Sequence, residues 1–186
     1  LRRLVGSEMC IRDRPLIEYI AKKNKPILIS TGMGSEKEIK EAIETIKKEG
    51  CENLLIFHCI SKYPAEILDY QLGDINFLRK EFNVEIGLSD HTLSNFASSL
   101  ATALGACAIE KHFKLDEKDC GPDSTFSINP SQLKNLVNEC NLSYEATKTN
   151  YLKRTNSEIE NKKFRRSIYF IKNLPKGHIL EKNDIK

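Results

Sequence analysis

Two histidines stand 21 residues apart, each in a short cluster of ionisable and hydroxyl side chains: GLSDHT at 87–92 and IEKHF at 109–113. Each lies at or beside the C-terminal end of an apolar run that reads as a strand. Side chains alternate along a strand, so Ser89 shares a face with His91, and Glu110 shares one with His112. The interval between the histidines holds one crossover helix, which makes the two strands parallel neighbours ~4.8 Å apart. Two imidazoles at equivalent strand ends can then meet at one ion. With oxygen ligands or water completing the set, such a pair suits a divalent transition metal such as Mn, Fe or Zn. Three more stretches face the same edge. STGM at 30–33 offers Ser30, Thr31 and backbone amides just before a helix N-terminus, the arrangement of an anion cradle. HCISKYP at 58–64 sets Ser61 and Tyr63 beyond a strand, and GPDSTFS at 121–127 projects the Asp123 carboxylate after a Gly-Pro turn. Each of these three, standing alone, is also compatible with a simple connecting turn.

The elements that must carry these residues alternate. Strands are predicted at 25–30, 52–59, 84–91 and 107–113, each a short run apolar on both faces. Helices are predicted at 35–50, 72–82, 95–106 and 130–147. The first has Ser35 and Glu38 as a capping box and Gly50 as its stop. A further helix at 15–24 precedes the first strand. Crossovers of helical length give a parallel sheet with right-handed connections, and a doubly wound sheet and a β/α barrel both fit. In a barrel, chemistry sits at the C-terminal ends of the strands. From 151 the character changes: YLKRTNSEIENKKFRRS reads as a charged linker, and SIYFIKNLPKGHILEKNDI as a strand, a Pro-Lys-Gly turn and a second apolar run. About twenty residues cannot bury a core alone.

The chain has 186 residues, enough for one domain with a real core, and a formal net charge of +3 from 29 basic and 26 acidic side chains. Four arginines and two acids fall within residues 1–14, leaving 25 basic against 24 acidic residues elsewhere. So even a balance argues against nucleic acid as the partner. No apolar run approaches the ~18 residues of a membrane-spanning helix, so no membrane association is expected. The six cysteines include no CxxC pair and fit neither a zinc finger nor a disulfide framework. Cys59 and Cys107 are expected to be buried thiols in strands. Free thiols without a secretory signal favour the cytoplasm.

Taken in order, KPILISTGM, FHCISKYP, GLSDHT, LGACAIEKHF and GPDSTFS resemble the C-terminal half-barrel of the sialic acid synthase family, which condenses phosphoenolpyruvate with an amino-sugar. The resemblance implies an α/β fold: the C-terminal half of a (β/α)8 TIM barrel over 15–150, a linker at 151–166, and at 167–186 the truncated start of a small β-rich antifreeze-like (SAF) domain. GPDSTFS, HFKL and FRRSIYF look most like the pseudaminic acid synthases of that family, with N-acetylneuraminate and legionaminic acid synthases as alternatives. The implied reaction joins phosphoenolpyruvate to 2,4-diacetamido-2,4,6-trideoxy-L-altrose and releases phosphate. His91 and His112 match the metal-binding pair, usually manganese. Ser30, Ser61 and Ser89 match positions lining the phosphoenolpyruvate site. Tyr63 lies in the same pocket, Asp123 matches an acid that contacts the sugar, and Glu110 points into the barrel beside His112; Asp123, Glu110 and Tyr63 are the catalytic candidates. Ile60 departs from the family, which usually has threonine there, implying a lost polar contact. The family's catalytic glutamate and phosphoenolpyruvate-binding lysines lie in the first half-barrel, and a sugar-contacting arginine late in the SAF domain. The 186 residues alone are therefore expected to be inactive and poorly folded, and the parent to be a homodimer in which each SAF domain caps the partner's barrel. A non-catalytic half-barrel that binds sugar, or another metal-dependent barrel enzyme such as an aldolase, are the readings from other classes.

Nothing in LRRLVGSEMCIRDR, residues 1–14, matches that family's motifs. MCIRDR back-translates to a transposon end used in sequencing libraries. The stretch, with Cys10, is expected to be translated adapter DNA.

Overall fold

The computed structural model describes residues 11–118, 120–148 and 153–186. The chain divides into two units, residues 1–148 and 149–186.

The first unit begins with α1 (Arg14–Ala21), then alternates β1 (Ile27–Ser30), α2 (Glu36–Lys48), β2 (Leu54–Cys59), α3 (Asp74–Phe82), β3 (Glu85–Asp90), α4 (Phe96–Ala103), β4 (Ile109–Lys111) and α5 (Pro130–Thr147). The four strands form one parallel sheet in the order β1-β2-β3-β4. Sequential order throughout is the progression of a barrel wall, and a doubly wound sheet, in which the order reverses, is set aside.

Local chemistry accounts for the helices. Ser35 accepts from the Glu38 amide while the Glu38 carboxylate accepts from the Ser35 amide, satisfying two otherwise orphaned donors. Acidic residues open α2 and Lys47 and Lys48 close it, matching the helix dipole. Gly50 then takes φ +82°, a left-handed conformation that ends the helix. Asn129 and Gln132 make the same reciprocal cap on α5, with Pro130 in its first turn.

The core lies between one sheet face and the helices. Ile27, Ile29, Leu54, Ile56, Ile86 and Leu88 meet Ile39, Ile43 and Ile46 of α2 and Ile75, Leu78 and Phe82 of α3. Register puts the alternate residues on the opposite face: Ser30 beside Phe57, Phe57 beside Gly87, Cys59 beside Ser89, Ser89 beside Glu110. Gly87 has no substitute here. A Cβ would stand 2.7 Å from the Phe57 ring and 2.8 Å from the Ala108 carbonyl.

Of residues 1–14, only 11–14 are described. Ile11 is 2% exposed in the core, Asp13 caps α1, and Arg14 reaches the Glu41 carboxylate at 2.8 Å. Residues 1–10, with Cys10, lie outside the described residues.

Two expectations are corrected. Cys107 is exposed, because β4 begins only at Ile109 and leaves it in the preceding loop. Burial of its thiol and the nearby Glu85 carboxylate still push its pKa up. The described part of the linker holds α6 (Asn156–Glu160), capped reciprocally by Thr155 and Glu158. The strand expected in 167–186 is a single antiparallel bridge, Phe170 with Ile185. That second unit is organised by Asp184, fully buried, which draws in Lys172, His178 and the Glu181 amide. Among the described residues, no helix is long and apolar enough to cross a membrane.

Candidate functional site

Strands β3 and β4 run in register with a constant offset of 21 residues, Leu88 beside Ile109 through Asp90 beside Lys111. His91 and His112 follow at the next equivalent positions, and their ring centroids stand 5.4 Å apart. Ser89 and Glu110 are one step inward on the same face, joined by a 2.8 Å bond from the Ser89 hydroxyl to Glu110 Oε1. Ser89 Oγ is also 3.2 Å from His91 Nε2.

The long connection after β2 supplies the rest. The Ile60 carbonyl lies 2.8 Å from His91 Nδ1. Tyr63 stacks on His91 at 4.3 Å and meets His112 edge-on at 5.6 Å. After β4, the Ile128 amide donates to the His112 carbonyl and folds the GPDSTFS loop back. This brings Phe126 to 4.9 Å from the His112 ring and Asp123 Oδ2 to 3.6 Å from His112 Nδ1. Asp123 stays 61% exposed, at the rim.

A carbonyl only accepts, so His91 Nδ1 carries a proton and donates to Ile60. Nε2 is then the ring nitrogen that faces Ser89 and the site. Imidazole fixed at Nδ1 by a carbonyl is the usual second-shell device for a metal ligand. Two imidazoles so placed are donors of the kind that a divalent transition metal takes, with Glu110 and Asp123 beside them. Among the described residues, no group of three or more histidine, cysteine or acidic side chains is gathered as a complete metal site. Further ligands would have to be water, substrate or other protein oxygens.

Of the amides in STGM, Thr31 N–H donates to the Phe57 carbonyl and Gly32 N–H to Cys59 Sγ; just beyond, Gly34 N–H donates to the Thr31 carbonyl and Ser35 N–H to Glu38. Ser30 itself is buried on the site's face of the sheet, and Ser61 is exposed two residues before Tyr63.

Two supports were not anticipated. Asp90 and Lys111 point to the helix side and form a buried ion pair of 2.9 Å, which Ser98 and the Thr92 and Ser94 carbonyls complete. Strict alternation held the signal: Asp90 lies between Ser89 and His91, and Lys111 between Glu110 and His112, so both must face the helices, where only pairing is tolerated. Tyr70, in a 3-10 turn at Ile67–Tyr70, reaches the His91 backbone, and nothing in its sequence surroundings announces this.

Comparison with known proteins is consistent with this geometry. The family model described as the NeuB family matches residues 5–151. The chain is 37% identical over 174 residues to the pseudaminic acid synthase of Campylobacter jejuni strain 81-176, covering 94% of this chain and 51% of that protein. It is 36% identical over 178 residues to the N,N'-diacetyllegionaminic acid synthase of Campylobacter jejuni strain NCTC 11168, covering 94% and 53%. In structure it resembles the N-acetylneuraminic acid synthetase of Leptospira borgpetersenii, with a TM-score of 0.76 and 31% identity over 85% of this chain and 55% of that one. The chain spans about half the length of the curated relatives it matches.

Proposed function

Because the chain belongs to the NeuB family, we propose that it is part of a nonulosonic acid synthase that joins phosphoenolpyruvate to 2,4-diacetamido-2,4,6-trideoxy-L-altrose. A carbon–carbon bond forms between the phosphoenolpyruvate methylene and the sugar aldehyde; water adds at C2 and phosphate leaves by C–O cleavage. The observation that carries this reading is the convergence of His91, His112, Ser89, Glu110 and Tyr63 at one end of a parallel sheet.

His91 and His112 would hold a divalent metal, manganese in this reading, which when bound would supply Lewis acidity toward the sugar's aldehyde oxygen. Glu110 orients Ser89 and holds or releases the proton shared along Ser89 and His91. Tyr63 walls the site, its ring covering His91 and excluding water from that side. Asp123, at the rim, contacts the sugar's polar groups. Ser30, Ser61 and Ser89 supply hydroxyls to the phosphate and carboxylate of phosphoenolpyruvate. Residues 167–186 are assigned to the start of an SAF domain, which in a homodimer caps the partner's barrel.

The pseudaminic and legionaminic relatives are equally similar to the chain, so the sugar is decided by assay. With the intact protein, Mn2+ and phosphoenolpyruvate, the trideoxy diacetamido-altrose releases phosphate and N-acetylmannosamine does not. Release with N-acetylmannosamine alone would move the assignment to the neuraminate branch, release only with the diacetamido sugar of the legionaminic branch would move it there, and release with none of the three would favour a binding module. Glu110→Gln is expected to lower kcat/KM about 10- to 100-fold, as loss of an outer-shell partner does.

A further inference from the structure

The β2–β3 ladder ends with Cys59 beside Ser89. His91 therefore stands just past the last paired residue, where its backbone has lost its strand partner and its ring would be free to swing. The connection leaving β2 replaces that partner. Ala65 N–H donates to the His91 carbonyl at 3.0 Å. The Tyr70 hydroxyl accepts from His91 N–H at 2.6 Å and lies 3.2 Å from the Ser89 carbonyl, to which it donates. One phenol thus bridges the two backbone groups on either side of Asp90. Tyr70 is itself immobilised: it is fully buried, and its carbonyl accepts from His58 Nε2 at 2.5 Å. His58 comes from β2, so the brace runs from one strand through Tyr70 to the next.

We infer that Tyr70 is a positioning residue for the metal centre, fixing the His91 backbone so that its ring, held at Nδ1 by Ile60, keeps Nε2 aimed into the site. This deepens the function proposed above and rests on His91 being a ligand. The orientation is set before the ion arrives, so affinity for the ion should depend on a hydroxyl that never touches it. Tyr70→Phe keeps the buried ring and removes only the oxygen, leaving His91 N–H without its acceptor.

The test is equilibrium binding of Mn2+ to the intact protein, counted as free ion by electron paramagnetic resonance, with the visible absorption of bound Co2+ as a report on ligand geometry. Tyr70→Phe is expected to weaken Mn2+ binding about tenfold or more and to alter the Co2+ bands, in a variant that still folds cooperatively at a melting temperature lowered by the buried amide left unpaired. Equal Mn2+ affinity and an unchanged Co2+ spectrum in the variant would overturn the role of Tyr70 while leaving the proposed function intact. A parent protein that binds neither ion would overturn the metal-centre reading, and this inference with it. Should the variant fail to fold, hydrogen exchange at the His91 amide of the parent decides. Slow exchange supports the phenol contact, and exchange at the rate of a free amide refutes it.

Discussion

Asp90 and Lys111 sit between the residues that face the site, one on each strand, and point the other way. Their pairing is fully enclosed, with the Lys111 side chain 3% and the Asp90 side chain 0% exposed. Removing one partner leaves a buried charge without compensation, which typically costs about 3–5 kcal/mol. Lys111→Met should therefore lower the urea midpoint sharply, and Asp90→Leu with Lys111→Met together should recover much of the loss. A single variant as stable as the parent would show that the pair is not sealed from water. This strut and the histidine pair were both legible from period-two alternation, since each side chain's face follows from its position in GLSDHT and IEKHF. Tyr70 and Phe126 were not. They reach the histidines from turns whose path depends on how the chain folds back, and no periodicity encodes that.

At the scale of elements, α4 shows how packing serves the site. It buries only small residues against the sheet, Ala97, Ser98 and Ala101. Small side chains let the helix lie close over β3, near enough for the Ser98 hydroxyl to reach the Asp90 carboxylate at 2.5 Å. The helix cap at α2 carries a simpler prediction. Ser35→Ala removes the reciprocal cap and should cost about 1 kcal/mol, read as a shift in the urea midpoint. Hydrogen bonds from Ser35 hold the Glu38 carboxyl below its ordinary pKa. A carboxyl depressed on folding contributes stability that is present above its unfolded pKa and is lost as pH falls through its folded one. The gap between parent and Ser35→Ala should therefore narrow in acid. Gly87→Ala, forced against the Phe57 ring and the Ala108 carbonyl, should perturb both strand pairings at once. The helices were legible because caps and apolar periodicity are local. The bounds of β4 were less so, because Phe113 leaves the ladder to bridge Ile128, a partner fifteen residues away.

Across the whole molecule, two units meet different demands. The first draws its order from an apolar core. The second, with Ile168, Tyr169, Phe170, Ile171, Ile179 and Leu180 exposed, draws its order from one carboxylate. Lys172, the Glu181 amide and His178 together hold Asp184 far below the ordinary carboxylate range. Its contribution is complete above the unfolded pKa and disappears only in strong acid, as pH falls through the folded value. Asp184→Asn should accordingly speed hydrogen exchange at the Tyr169, Ile171 and Lys186 amides near neutral pH, while the amides of β2 and β3 keep their protection. Unchanged exchange in the second unit would mean that its apolar residues, not the carboxylate, hold it. The constant offset between β3 and β4 carries a consequence of another kind. Because neighbouring side chains alternate, sliding β4 by one residue would turn Glu110 and His112 toward the helices and present Lys111 to the site. The stretch from 92 to 108 is thus a ruler as well as a helix with its loops. Changes of letter along it can be absorbed, but a gained or lost codon must be taken up in the loop before Ile109, or the two imidazoles no longer meet.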